Sequence, residues 1–210
     1  IFSSDDVVID AEIVDIKDSG DLILASGKVT ITDVDNIKIV GDKAKYNRLT
    51  QSIEIIGNVI FSDKEKNYEV KSDKIIFNRN GNIISTFGNT RMLWFNKDNN
   101  KLNFEIESTN AIFDRNKKIL EVNEKVVLKD PINQYLINSN KIIYYNTSEE
   151  VKSFGKTKIN IREKYFVNTK DISYSRKTNI FNTKAKTQIE DVLENKFDLS
   201  SFNFDLEKNI

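Results

Sequence analysis

Residues 68–89, YEVKSDKIIFNRNGNIISTFGN, decide the fold, because the rest of the chain repeats them. The first half returns as IKIVGDKAKYN from Ile37, FEIESTNAIFD from Phe104, YLINSNKIIYY from Tyr135, YFVNTKDISYS from Tyr165 and FDLSSFNFDLE from Phe197. These starts step by 31, 36, 31, 30 and 32 residues. The second half carries a small residue, a polar residue and then Val or Thr. It recurs at Gly27-Lys28-Val29, Gly57-Asn58-Val59, Gly88-Asn89-Thr90, Glu124-Lys125-Val126, Gly155-Lys156-Thr157 and Ala185-Lys186-Thr187. Those steps are 30, 31, 36, 31 and 30, so both sub-motifs keep one period and share one insertion. A fixed period of this length is the signature of stacked supersecondary units.

The repeats are written in strand language. Apolar and polar residues alternate in Ile53-Glu54-Ile55 and Phe104-Glu105-Ile106, and the apolar set is β-branched or aromatic. Asn80-Gly81, Asp98-Asn99-Asn100 and Asp130-Pro131 punctuate the runs as turns. Each repeat is therefore two strands, and the expected fold is an all-β antiparallel sheet. No segment carries the spacing and caps of a helix. The helix-like IEDVLENKFDL near the C-terminus falls, by the repeat register, on a turn and the next strand.

Aligned, the repeats give four apolar columns. The first is Ile37, Tyr68, Phe104, Tyr135, Tyr165 and Phe197; the second is Ile39, Val70, Ile106, Ile137, Val167 and Leu199. The third is Ala44, Ile75, Ala111, Ile142, Ile172 and Phe204; the fourth is Tyr46, Phe77, Phe113, Tyr144, Tyr174 and Leu206. The second half of the repeat adds Ile53, Val59 and Phe61, then Ile84, Thr90 and Met92, then Leu120, Val126 and Leu128. The gap of five between the second and third columns is odd, which in a regular strand would send them to opposite faces. A bend or bulge at the intervening polar pair, Asp42-Lys43 or Asp73-Lys74, returns them to one face, so each strand is expected to fold over at its middle.

Such a sheet has one continuous apolar interior, either a dry core or a groove kept open for an apolar ligand. As a groove, its expected lining is Ile37, Ile39, Tyr46, Ile53, Val59, Phe61, Val70, Ile75, Phe77, Ile84, Met92, Phe104, Ile106, Phe113, Leu120, Val126, Leu128, Ile137, Ile142, Tyr144, Val167, Ile172 and Tyr174. No charge interrupts these columns.

Composition narrows the classes further. The 210 residues carry 32 basic and 32 acidic side chains, which leaves no basic excess for a nucleic-acid partner. Cysteine and histidine are both absent, which removes disulfides, thiolate metal sites and the commonest general base. No Gly-rich phosphate loop occurs and no cofactor is expected; an enzyme is not expected either. The acidic pairs Asp5-Asp6, Glu149-Glu150 and Glu190-Asp191 read as solvated turn or edge charges before they read as cation ligands. No apolar run is long enough for a helical membrane span. The opening IFSSDDVVID lacks the apolar core of a targeting peptide, which is expected to lie outside this stretch or to have been removed. Because a repeat stack has no internal boundary, residues 1–210 are expected to form one domain. The insertion LWFNKDNNKLNF lengthens one hairpin and holds the single Trp, Trp94, which is either a lip for lipid or partner or a ring pinning the hairpin.

The pairing of DKAKYN with IEIIGNV, and of SDKIIFN with ISTFGN, resembles the OstA-type repeat of the lipopolysaccharide-transport proteins. That is the family of LptA and of the N-terminal domain of the outer-membrane assembly protein LptD. The resemblance runs from Val7 to Ile210. It implies a folded-over jelly roll, or β-taco, whose interior carries the acyl chains of lipid A across the periplasm. It also implies partners: lipopolysaccharide itself, and other bridge proteins joined edge strand to edge strand. The chain stops in mid-repeat at Leu206-Glu207-Lys208-Asn209-Ile210. The expectation is therefore an LptD-like N-terminal domain, continued by an outer-membrane barrel with its lipoprotein partner. Enteric members carry paired cysteines, and this stretch has none. The rival readings are a structural surface or adhesin repeat with a dry core, and a polysaccharide-acting β-helix enzyme. The enzyme is disfavoured because its coils are shorter and need a charged column.

Overall fold

A computed structural model describes residues 1–4, 7–34 and 36–208; the Asp5-Asp6 pair lies outside the described residues. The protein is an all-β, folded-over antiparallel jelly roll of two-stranded repeats, with one 3-10 turn at Asp18–Gly20 and no α-helix among the described residues. By contact density it divides into two compact units: residues 1–102 with 110–116, and residues 103–109 with 117–210.

The N-terminal unit holds β1 (Phe2–Ser4), β2 (Val7–Asp10), β3 (Ile13–Lys17), β4 (Leu22–Asp33), β5 (Ile37–Asn47), β6 (Ser52–Asp63), β7 (Tyr68–Asn78) and β8 (Ile83–Phe95). β9 (Leu102–Asp114) contributes residues to both units. The C-terminal unit continues with β10 (Ile119–Asp130), β11 (Tyr135–Tyr145), β12 (Glu150–Ile161), β13 (Tyr165–Lys170), β14 (Ser173–Ser175), β15 (Ile180–Thr183), β16 (Thr187–Asp191), β17 (Lys196–Leu199) and β18 (Phe202–Asp205). Strands β4 to β8 pair in sequence, as do β10 to β12. Beyond them the strand is cut at its middle. β2 covers one half of β4 and β3 the other, while β12 is covered by β13 on one half and β14 on the other. The IEDVLENKFDL segment is strand, turn and strand, as the register requires.

Each long strand changes parity at its middle. In β7, Tyr68, Val70 and Ser72 are buried, Asp73 and Lys74 face outward together, and Ile75 and Phe77 are buried again. β5 and β11 do the same at Asp42-Lys43 and at Asn140-Lys141. The extra residue that bends the ladder comes from the partner strand, where Gly57-Asn58 of β6 stand opposite the single residue Asp73 of β7. Gly27-Lys28, Glu124-Lys125 and Gly155-Lys156 repeat this geometry against Asp42, Asn140 and Asn140. In its first five copies the recurrent triplet is therefore a β-bulge, and at Ala185-Lys186-Thr187 the strand instead breaks between β15 and β16. The bulge needs left-handed backbone: Gly57 and Asn58 have φ of +85° and +48°, and Gly88 and Asn89 have +74° and +38°. Glycine and asparagine tolerate that region best, which explains their recurrence. An aspartate side chain seals the bulge from the facing strand, with Asn58 Nδ2 donating to Asp42 (3.2 Å) and Asn89 Nδ2 to Asp73 (2.8 Å).

Register corrects the last repeat. Thr187 pairs with Leu199 and Thr183 with Phe202, while Phe181 pairs with Phe204. Phe202 and Phe204, not Phe204 and Leu206, thus continue the third and fourth columns, and Phe197 falls in the second rather than the first. Phe197 and Leu199 lie on β17, which pairs on one side with β16, and both are exposed. The two-residue slip escaped the sequence because apolar residues stand at every second position there.

Candidate functional site

All 23 expected lining residues, from Ile37 to Tyr174, are buried, and none is more than 4% exposed. Each bend divides a strand into two arms, and the arms face one another across these side chains. Aromatic rings meet from arm to arm. In the N-terminal unit Phe61 meets Phe77 with ring centroids 5.3 Å apart, and Tyr68 meets Phe113 at 5.4 Å, both edge to face. In the C-terminal unit Phe104 meets Tyr144 at 5.0 Å, Tyr135 meets Tyr174 at 4.7 Å, and Tyr165 meets Phe204 at 5.6 Å. The hairpin ends of the two arms thus close on each other along a seam opposite the bend. Trp94 belongs to this seam: it is buried against Tyr68 and Phe113, at 6.2 and 6.3 Å, and pins its long hairpin.

Charge does enter the interior at the seam, contrary to what the columns alone suggest. Arg115, just beyond one arm, donates from Nη2 to Asp63 Oδ2 at 2.6 Å on the end of the other, and its guanidinium lies over Phe61 and Phe77. Arg176 donates from Nε and Nη2 to Asp130 Oδ2 at 3.1 and 3.0 Å, with its guanidinium 4.6 Å from the Phe104 ring centre. Both pairs are buried, with side-chain exposures of 3% and 2% for the first and 8% and 0% for the second. Burial alone would lower the Arg176 pKa; the Asp130 carboxylate beside it more than offsets that and raises it. Burial also pushes the phenols of Tyr68, Tyr135, Tyr144 and Tyr174 above their ordinary value, so all four are neutral donors near pH 7. The sequence reading missed Arg115 and Arg176. The signal was present, since each lies two residues beyond a fourth-column aromatic, but Arg48 and Arg79 share that position and bond to Gly20 O and to Gln51 and Tyr46 respectively.

The inside of the bend carries a second feature that the columns did not reveal, a ladder of buried hydroxyls. Ser72, Thr90 and Thr86 are linked at 3.3 and 2.8 Å, and Thr86 Oγ1 accepts the Ala111 N–H at 2.9 Å. Ser139, Thr157 and Ser153 repeat the chain at 3.4 and 2.6 Å, and Ser153 Oγ accepts the Ile172 N–H at 3.1 Å. Each bulge breaks the regular ladder, and these hydroxyls satisfy the backbone groups it frees.

The two described acidic pairs, Glu149-Glu150 and Glu190-Asp191, sit where a strand meets a turn. Asp191 accepts the backbone N–H groups of Leu193 and Asn195, and the Asn195 side chain holds its carboxyl below the usual range. Glu150 bonds Ser173 and pairs with Lys152, and Glu149 sits in a turn at φ +56°.

Fold and interior together define a class: a sheet of bent two-strand repeats, closed over an apolar interior with a polar bend and an aromatic seam. No known family profile matches the chain, and no curated protein matches it. Among solved structures it is similar to LptH of Pseudomonas aeruginosa, described as the LptA-homologous periplasmic component of the conserved lipopolysaccharide transport device. The TM-score is 0.47 and the identity 11%, over 56% of this chain and 81% of that one.

Proposed function

We propose that residues 1–210 act as one periplasmic carrier domain that shields the acyl chains of lipopolysaccharide on their way to the outer membrane. The observation that carries this reading is the uniformity of the interior. In each unit every repeat contributes aligned apolar side chains to one buried space. Each methylene withdrawn from water is worth about 0.8 kcal/mol, so several long chains left exposed would cost on the order of tens of kcal/mol. A wall without specific anchors lets such a chain slide, and the repeat resemblance to the lipopolysaccharide-transport family points to the same cargo. Edge strands such as β1, β3, β17 and β18 are the natural places for strand addition by other bridge proteins. An LptD-like setting, with an outer-membrane lipoprotein as partner, is the finer form of the proposal.

The cross-interior ring contacts favour a second reading, a structural repeat with a dry core. Photocrosslinking separates the two. A photoreactive residue at Phe77 or Phe113 is expected to form adducts with lipopolysaccharide, while the same residue at Lys74 or Lys118 forms none. No adduct at any position in the folded domain would establish the dry core.

A further inference from the structure

The hydroxyls of Tyr68 and Tyr135 and the Nε of Arg115 are buried without a hydrogen-bond partner among the described residues. Buried polar atoms are almost always satisfied, and an orphaned donor costs about as much as a lost hydrogen bond. The two phenols are not scattered. They occupy the same column, one in each unit, and are 4% and 3% exposed. Each stands at the seam beside the buried ion pair of its unit. Tyr68 packs edge-on against Phe113, two residues before Arg115, and Tyr135 packs against Tyr174, two residues before Arg176. A core that had only to be dry is served by phenylalanine at this position, and Phe104 fills it in the intervening repeat. The chain therefore keeps two phenol donors without a well-placed acceptor at equivalent places, each near the arginine and aspartate of its unit, with the Tyr174 phenol a further neighbour of Tyr135.

We propose that the Tyr68/Arg115 and Tyr135/Arg176 clusters are two head sites for an acyl amphipath. The hydrocarbon chain lies along the apolar interior, and its carbonyl or carboxylate oxygen accepts a hydrogen bond from the phenol. In the N-terminal unit Arg115 Nε offers a second donor to the same oxygen. Burial keeps the phenols protonated, so they donate throughout the neutral range. This proposal rests on the carrier reading and adds to it a preference for chains that begin with an oxygen acceptor.

The test uses three fluorescent probes: dansylated undecanoic acid, its methyl ester, and the same dansylated chain ending in a methyl group. They are titrated into the wild-type chain and into Tyr68→Phe, Tyr135→Phe and the double variant. The phenylalanine variants remove an unsatisfied atom, so their thermal midpoints are expected to equal or exceed that of the wild type. Each single variant is expected to lose about fivefold in affinity at its own site for the acid and the ester, the worth of one hydrogen bond. Affinity for the methyl-ended chain is expected to stay unchanged. Wild-type affinity of the variants for acid and ester would overturn the head sites and leave the carrier reading standing. An equal loss for the methyl-ended chain would also overturn them, since the change would then lie in the walls. Failure of the wild type to bind any of the three probes would overturn the carrier reading together with the sites.

Discussion

The two long sides of each folded unit are built by different physics. At the bend the polypeptide turns because of its own backbone: a bulge with left-handed residues, a capping aspartate and hydroxyls that collect the freed backbone groups. At the seam nothing local holds the arms together. Arginines there meet aspartates 46 and 52 positions away, in Arg176–Asp130 and Arg115–Asp63. The bend is made within neighbouring strands, whereas at the seam first-column rings of one repeat meet fourth-column rings of the next, with one buried arginine–aspartate pair added in each unit. A sheet of this kind can therefore keep its bend while its seam changes partners.

The largest expected effect breaks the seam. Arg115→Met leaves the buried Asp63 with only the exposed Lys66 ammonium, 3.7 Å away, as counter-ion and is expected to cost up to about 3–5 kcal/mol. Urea unfolding followed by the fluorescence of Trp94, the single tryptophan, reads this in the N-terminal unit. The companion variant Asp63→Leu/Arg115→Met removes both charges and is expected to recover most of the loss. If the single variant is as stable as the wild type, the seam is not held by its ion pair.

The bend is tested next. Thr86→Val takes from the Ala111 N–H its buried acceptor and is expected to cost about 1–3 kcal/mol in the same unfolding assay. Gly57→Ala places a Cβ against the Asp42 carboxylate in a residue at φ +85°, and left-handed backbone alone costs about 1–2 kcal/mol there. The opposite change sharpens the comparison. Glu124 sits at the bulge position with φ +64°, so Glu124→Gly is expected to stabilise by up to about 1 kcal/mol.

The smallest effect lies on the outer face, away from both sides. Lys141 donates to Glu121 at 2.6 Å and thereby lowers the Glu121 pKa below its ordinary value. A depressed folded pKa contributes stability above the unfolded pKa, and that stability is lost as pH falls through the folded one. The pair is more than a third exposed, so its worth is below about 1 kcal/mol. Unfolding free energies of the wild type and Lys141→Met are expected to differ slightly at neutral pH and to converge in acid.

Legibility in the sequence followed the range of the interaction. The bend could be placed at Asp42-Lys43 and Asp73-Lys74 because an odd gap between apolar columns is a local contradiction that a bend or bulge resolves, although the extra residue proved to lie on the partner strand. Every lining residue named from the columns is buried, because burial along a strand is a matter of parity. The last repeat was misaligned by two residues, since parity cannot tell Phe202 from Phe204 from Leu206. The hydroxyl ladder stayed hidden because Thr90 and Thr157 occupy positions where Val59 and Val126 serve equally as apolar filler.

The sequence by itself determined the strands, the period, the bulges and the apolar face, all consequences of backbone conformation and side-chain alternation over a few residues. Only the tertiary structure decided that the arms meet, which of the arginines beyond the fourth column is buried against an aspartate, and which phenols are left without partners. Those outcomes depend on which hairpin ends come to face each other across the interior, and no pattern along one strand records that.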